Sequence, residues 1–419
     1  MDRRLFLRLF LTSALSPFVY PCGWAYGNTS SKSNKRLIVI LLRGAVDGLN
    51  VVIPYGDANY HRLRPTIAVA APGTESGVIK LDGYFGLHPT LSPLVPFWTN
   101  RTLAFVHSSG SPDPTRSHFD AQGYMETGTP GNKLTSTGWL NRLIKELPAA
   151  NSPVEAVSIG SVLPLMCAGP STVATINDIS SNPHTMPIDR PIFANPFSAM
   201  YMDRNDDLGH AFMEGMSAHQ TIEQDLQSLP LAEQTAMSKE QIIANHGAPV
   251  ISNKTNFGSQ VANLLNKEPS MQIVFLDFGG WDTHVNQGAG QGQLANHLQP
   301  LAAGLADLAN GLGPLYKDTT VIVMSEFGRT AAENGNHGTD HGHGNVMWLL
   351  GGGVEGGKIY TRWQGLAPGQ LHEQRDLPTT TDFRNVIAST LHNHFSVSQV
   401  AVSRIFPNFQ PELHPFVAT

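Results

Sequence analysis

The chain has little charge. Asp, Glu, Lys and Arg make up only 14% of its 419 residues, which excludes a highly charged disordered chain. Basic residues are not in excess either. Lys and Arg number 27 against 33 Asp and Glu, for a formal net charge of −6, so no nucleic-acid partner held by a basic surface is expected. Cysteine is nearly missing. Cys22 and Cys167 cannot build a disulfide framework or a cysteine-rich zinc module. Cys167, set in Leu165-Met166-Cys167-Ala168-Gly169, reads as a small buried apolar residue, since a reactive thiol needs a polar or cationic setting. Uninterrupted apolar runs of ~20 residues, the length a membrane helix needs, are also missing. Hydrophobic residues nevertheless supply 41%, enough at this length for a large core. Glycine and proline, at 40 and 29 residues, imply many tight loops.

The N-terminus reads as an export signal. Arg3-Arg4-Leu5-Phe6-Leu7-Arg8 forms a twin-arginine pattern, followed by an apolar stretch from Leu9 to Tyr20 that Ser and Pro interrupt. Ala25-Tyr26-Gly27 offers small residues to a signal peptidase. The expectation is a signal peptide over 1–27, cut after Gly27, and a domain over 28–419. Cys22 follows Val19-Tyr20-Pro21, a poor lipobox. The expected partner is the twin-arginine export machinery, the destination periplasmic or extracellular, with no stable membrane span after cleavage. That route resembles one used by proteins that fold, often around a cofactor, before export.

Leu37–Leu42 is a continuous apolar run, and similar runs recur at 103–106, 157–159, 273–276, 321–324 and 346–350. Such runs suit strands buried on both faces, as in a parallel sheet. Helical patterns lie between them: 90–98 (broken by Pro93 and Pro96), 119–125, 139–147 and 293–312. The alternation predicts an α/β protein, a three-layer α/β/α sandwich around a mostly parallel central sheet. The polar, Met-rich stretch around 199–250 reads as a helical insertion. The glycine-rich 287–292 segment reads as a loop, either mobile beside a site or plainly surface.

In such folds ligands bind beyond the carboxyl ends of the strands. After the first run come Arg43 and Asp47; Asp47 is a metal ligand or an Asp-Gly turn, and Arg43 binds an anion or pairs with a carboxylate. After the second come Arg116-Ser117-His118. Ser117 reads as a helix cap, a nucleophile, or both, with Arg116 and His118 beside it. After 273–276 come Asp282 and His284, two apart and so on one face of an extended segment. Glu326 follows 321–324. Then His337, Asp340, His341 and His343 crowd a glycine-rich loop: three histidines in seven residues, from a chain with 17 in all. Histidine with carboxylate suits zinc, manganese or iron better than calcium. Together these residues predict a mixed His/carboxylate metal site beside a serine.

The motifs Leu-Leu-Arg-Gly-Ala-Val-Asp-Gly-Leu-Asn at 41–50, Arg-Ser-His-Phe-Asp-Ala-Gln at 116–122, Gly-Gly-Trp-Asp-Thr-His at 279–284, Ser-Glu-Phe-Gly-Arg-Thr at 325–330 and Gly-Thr-Asp-His-Gly-His-Gly at 338–344, with the twin-arginine start, resemble the bacterial domain of unknown function 1501 family. That family is distantly similar to the alkaline phosphatase and sulfatase superfamily. The resemblance implies metal ligands at Asp47, Asp282, His284, Glu326, Asp340, His341 and His343, and a Ser117 nucleophile assisted by Arg116 and His118. It implies one or two divalent ions, zinc or else manganese, and hydrolysis of phosphate or sulfate esters on a small molecule or polymer. Glu326 stands where Asp is usual, and the Asp340-His341 pair is displaced along the chain. Two alternatives remain open: a non-catalytic metal-binding envelope protein that binds a partner or polymer, and a metal-dependent phosphotransferase or mutase. A formylglycine sulfatase is disfavoured, because Cys167 is followed by Ala168 and Gly169 rather than by the pattern such enzymes carry.

Overall fold

The computed structural model describes residues 34–148, 154–160, 162–176, 244–252 and 256–418. The expected signal peptide and nearly all of the expected 199–250 insertion lie outside them.

Apolar runs become strands where continuous hydrophobicity predicts them. In chain order, β1 (Arg36–Leu42) is followed by a small three-stranded sheet of β2 (Val52–Ile53), β3 (Ile79–Lys80) and β4 (Gly86–Leu87). Then come β5 (Leu103–Gly110), α1 (His118–Thr127), α2 (Trp139–Glu146), β6 (Ala156–Ile159), β7 (Ala174–Ile176), α3 (Phe257–Lys267) and β8 (Ile273–Phe278). The chain continues through α4 (Gln293–Gly311), β9 (Thr319–Ser325), β10 (Asn345–Gly351), β11 (Lys358–Tyr360), β12 (Thr381–Asp382), α5 (Phe383–Phe395) and α6 (Gln399–Ile405). The segment 90–98, expected to be one interrupted helix, is a 3₁₀ segment (Pro89–Leu94) followed by a short α-helix (Val95–Thr99). Proline has no N–H to donate and crowds the preceding turn, so Pro93 and Pro96 prevent a continuous helix.

The main sheet runs β11-β5-β10-β9-β1-β8-β6-β7, with β12 also on β5. All its pairings are parallel except those of β10, which is antiparallel to both neighbours. Alternation along β1 supplies both layers. Ile38, Ile40 and Leu42 pack on the side of α3 and α4, and Leu37, Val39 and Leu41 on the side of α2, α5 and α6. All six are 0% exposed, and each contributes roughly 1.5–3 kcal/mol by leaving water. No helix among the described residues is long and apolar enough to cross a membrane.

Register brings the site together. Leu42 pairs with Phe278 on one side and Ser325 on the other, so the segments after β1, β8 and β9 emerge level with one another. The reversed direction of β10 puts its start, and therefore the His341–Gly344 loop, on that same edge.

Candidate metal centre

Three side chains converge on this edge: His118 from the first turn of α1, Asp282 from the segment after β8, and His341 from the loop before β10. His118 Nε2 lies 3.0 Å from His341 Nε2 and 3.4 Å from Asp282 Oδ1, and His341 Nε2 lies 3.2 Å from the same oxygen. His284 stands next to two of the three, its Nε2 2.9 Å from His341 Nε2 and 3.0 Å from Asp282 Oδ1.

Groups outside the cluster fix which nitrogen faces inward. His118 Nδ1 donates to Glu326 Oε1 at 2.7 Å. His341 Nδ1 donates to the Arg116 carbonyl at 2.9 Å. Each neutral ring therefore turns a bare Nε2 lone pair toward the other and toward a carboxylate. Adjacent acceptors with no proton between them repel, so the arrangement needs a positive charge at its centre. A proton on His118 supplies one. Burial alone would lower that imidazole's pKa, but contact with Asp282 and Glu326 outweighs it and raises the pKa to about 9. Burial would likewise raise the pKa of Asp282, yet His118, His284, His341 and Arg329 hold it well below the carboxylate range. Glu326, also buried, is brought down to about 2, chiefly by His118.

A divalent cation answers the same need more fully. Two ligands about 2.1 Å from a common ion, at a near-tetrahedral angle, stand about 3.4 Å apart. The 3.0–3.4 Å separations among His118, Asp282 and His341 fit that spacing. Two imidazoles and a carboxylate are the donor chemistry of zinc or manganese.

The support around the cluster is rigid and buried. Arg329, 1% exposed, holds Asp282 Oδ1 from Nη1 at 2.7 Å and spends Nε and Nη2 on Thr339. Glu326 Oε1 also accepts from the Gly44 N–H (2.8 Å) and from Gln122 Nε2 (3.0 Å). Phe327 lies against the rings of His118 and His341, at 4.9 and 5.1 Å. Gly328 must be glycine: a Cβ there would fall inside the Gly344 carbonyl, where the strap after β9 crosses the loop before β10.

The remaining expected residues make contacts of their own. Asp47 is not at the cluster. Its carboxylate is buried and held by Arg64 at 2.5 and 3.0 Å and by Gln287 Nε2 at 2.7 Å. Glu326 Oε1 contacts His118 through that ring's outer nitrogen, Nδ1, and is not one of the three converging groups. Asp340 is exposed, 3.4 Å from His284 Nδ1, and comes near the cluster only through that ring. His343 stacks on His372, with centroids 4.8 Å apart, and turns away; its carbonyl accepts from the Gly328 N–H. The Arg116 guanidinium is paired with Asp376 and Glu373, both at 2.6 Å, so only its carbonyl serves the cluster. Ser117 caps α1, its Oγ 3.5 Å from the Asp120 N–H, and remains exposed beside His118. His337 meets Thr66 Oγ1 at 3.0 Å, on the surface. Arg43 takes the paired reading, between Glu126 and Asp277. The glycine-rich loop is pinned, with the Ala289 carbonyl on His88 Nε2 at 2.8 Å and Gln287 buried. Cys167 is buried, and burial pushes its thiol up.

Sequence reasoning missed Gln122 and gave Arg329 a different task. Gln122 follows His118 by four residues, the spacing that puts two side chains on one helix face, so its place beside His118 was available from the pattern. By residue type, Arg116 or Arg329 could hold the non-bridging oxygens of an ester. In the structure every donor group of the Arg329 guanidinium is committed to Asp282 or Thr339.

A comparison with curated proteins finds no match. Among solved structures, the C-terminal periplasmic domain of EptC from Escherichia coli is similar at 11% identity and a TM-score of 0.38, covering 92% of this chain and 89% of that one. The lipoteichoic acid synthase LtaP from Listeria monocytogenes gives 8% identity and a TM-score of 0.32, covering 80% and 67%. The alkaline phosphatase of the Antarctic bacterium TAB5 gives 11% and 0.31, covering 79% and 94%. A family model described as a protein of unknown function, DUF1501, matches residues 85–406, and the chain belongs to that family.

Proposed function

We propose that this protein is an exported, metal-dependent hydrolase of phosphate or sulfate esters, with Ser117 as nucleophile. The observation that carries the reading is the convergence of His118, Asp282 and His341, with the outward nitrogens of both rings already committed. His118, Asp282 and His341 would hold the ion, and His284 would stand ready as a neighbouring donor. A divalent ion bound there would polarise an ester oxygen and favour ionisation of a hydroxyl.

The chain's own groups do the rest. Ser117 presents its hydroxyl at the N-terminus of a ten-residue helix, where the unpaired N–H groups and the helix dipole favour an anion. Its cap bond is long, at 3.5 Å, so little holds the hydroxyl back from a substrate. Asp282, fixed by Arg329, keeps the donor set in place, and Glu326 holds the proton on His118 Nδ1. Signal-peptide removal after Gly27 and passage through the twin-arginine machinery into the periplasm belong to the same proposal.

The test is metal content by mass spectrometry on the exported protein, for wild type, His118→Ala and His341→Ala, followed by turnover of p-nitrophenyl phosphate and p-nitrophenyl sulfate. One zinc or manganese per chain, lost in both variants, is expected. Ser117→Ala should keep the metal and lose at least a hundredfold in turnover. A folded wild type without metal would refute the centre. Turnover unchanged in Ser117→Ala would remove the serine, and a metal-bound protein inert on both esters would favour the non-catalytic reading.

A further inference from the structure

A cleft of about 400 Å³ opens against the outer face of α1. The helix turns His118 and Gln122 toward the metal cluster, and Phe119, Gly123 and Thr127 toward this cleft. The floor lies at the carboxyl ends of β1 and β8. There Arg43 sits between two carboxylates, donating from Nη1 to Glu126 at 2.9 Å and from Nε to Asp277 at 2.7 Å. One guanidinium faces two carboxylates, with the His246 ring as a second favourable neighbour of Asp277. Glu126 spends its second oxygen on the Met166 N–H, at 2.9 Å. Asp277 Oδ1 meets no donor among the described residues. It faces Gly160, where a Cβ would stand 3.7 Å from it, so the missing side chain leaves the oxygen open to the cleft. Burial raises the pKa of the Asp277 carboxyl, against the opposing pull of Arg43 and His246. At the rim, Lys133 and Asp120 neutralise each other at 2.8 Å.

The mouth is apolar. Phe119, Val162 and Leu163 are 71%, 74% and 42% exposed, three of the six large hydrophobic side chains exposed among the described residues. Such clustering marks a binding surface. The Phe119 ring lies parallel to His246, 8° apart in plane, and offers its π system at the entrance.

We propose that this cleft binds an organic cation, an ammonium group carried on an apolar body, with Asp277 as its counter-ion. The apolar portion lies along Val162 and Leu163, and the ammonium reaches past Gly160 to Asp277 Oδ1. An ammonium near an aromatic face gains further attraction. The site is separate from the metal cluster, and its occupation requires no metal.

The experiment is calorimetric titration of the exported, metal-loaded protein at pH 7.5 with three probes of matched chain length: hexyltrimethylammonium, hexanol and hexanoate. The ammonium should bind saturably at one per chain, hexanol at least tenfold more weakly, and hexanoate not measurably. Asp277→Asn should bind hexyltrimethylammonium no better than hexanol. Gly160→Leu should fill the cleft and lose both hexyltrimethylammonium and hexanol while Arg43, Glu126 and Asp277 stay paired. A thermal melt of each variant establishes that it is folded, and if Asp277→Asn is not, the probe series and Gly160→Leu decide. The proposal is overturned if the ammonium does not bind, if hexanol or hexanoate binds as tightly, or if either folded variant binds the ammonium like wild type.

Discussion

Glu326→Gln tests the centre from behind, without touching a ligand. The substitution keeps volume and shape and removes one charge. In the native protein Glu326 Oε1 takes three donors at once: His118 Nδ1, the Gly44 N–H and Gln122 Nε2, at 2.7, 2.8 and 3.0 Å. A hydrogen bond to an ionised acceptor is about twice as strong as its neutral counterpart. The carboxylate also makes the far nitrogen of the ring more basic, which strengthens its bond to an ion. Loss of such a supporting carboxylate weakens metal binding by about 10–100-fold, or about 1.4–2.8 kcal/mol. The assay is competition for zinc against a fluorescent chelator of known affinity, with near-ultraviolet circular dichroism to establish that the core is native. Zinc affinity in Glu326→Gln should fall within that range, and Gln122→Ala should produce a smaller loss in the same direction. An affinity within twofold of wild type in a folded Glu326→Gln protein would show that His118 does not bind the ion through Nε2, and the tautomer argument would fail.

Two further perturbations separate structural from functional charge. Asp47→Asn leaves Arg64 buried without its counter-ion and should cost about 3–5 kcal/mol in urea unfolding, with metal content unchanged; loss of metal from a folded protein would restore Asp47 as a ligand. His107 is fully buried, with Nε2 donating to the Val52 carbonyl and Nδ1 accepting from the Ser108 N–H, both at 2.9 Å. Burial lowers its pKa from 6.5 to about 4. A histidine kept neutral by folding contributes stability that is complete above pH 6.5 and is lost as the pH falls toward 4, by roughly 3 kcal/mol. Urea midpoints from pH 7.5 to 4.5 should decline less steeply in His107→Gln; an unchanged slope would exclude His107 as a source of acid sensitivity.

The sheet was legible because strands buried on both faces need uninterrupted apolar sequence, and Leu37–Leu42 or Val321–Met324 can hardly serve otherwise in a chain with so little charge. Strand direction was not legible. Val346–Leu350 reads the same whichever way it runs, yet its antiparallel course is what delivers His341 to the edge where β1, β8 and β9 end. Ion pairing was invisible for a similar reason. Asp47 and Asp282 each follow a strand of the same sheet, next to glycine or tryptophan. What separates them is Arg64, folded back against Asp47, and no spacing in the sequence announces that contact.

The Ser117-His118 pair shows how position in a helix adds to what residue type suggests about roles. A serine at a helix start beside a histidine reads as a nucleophile with its helper, because both are chemically able. Position in the helix divides them. The cap residue has extended backbone and points its side chain back over the first turn, as Ser117 does toward Asp120. The next residue is the first with helical geometry and projects to the side, here into the sheet edge where Glu326 waits. One step along the chain therefore moves a side chain from solvent to the cluster. In the proposed centre His118 would help hold the ion, and Ser117, outside the cluster and barely restrained, would be the group free to attack.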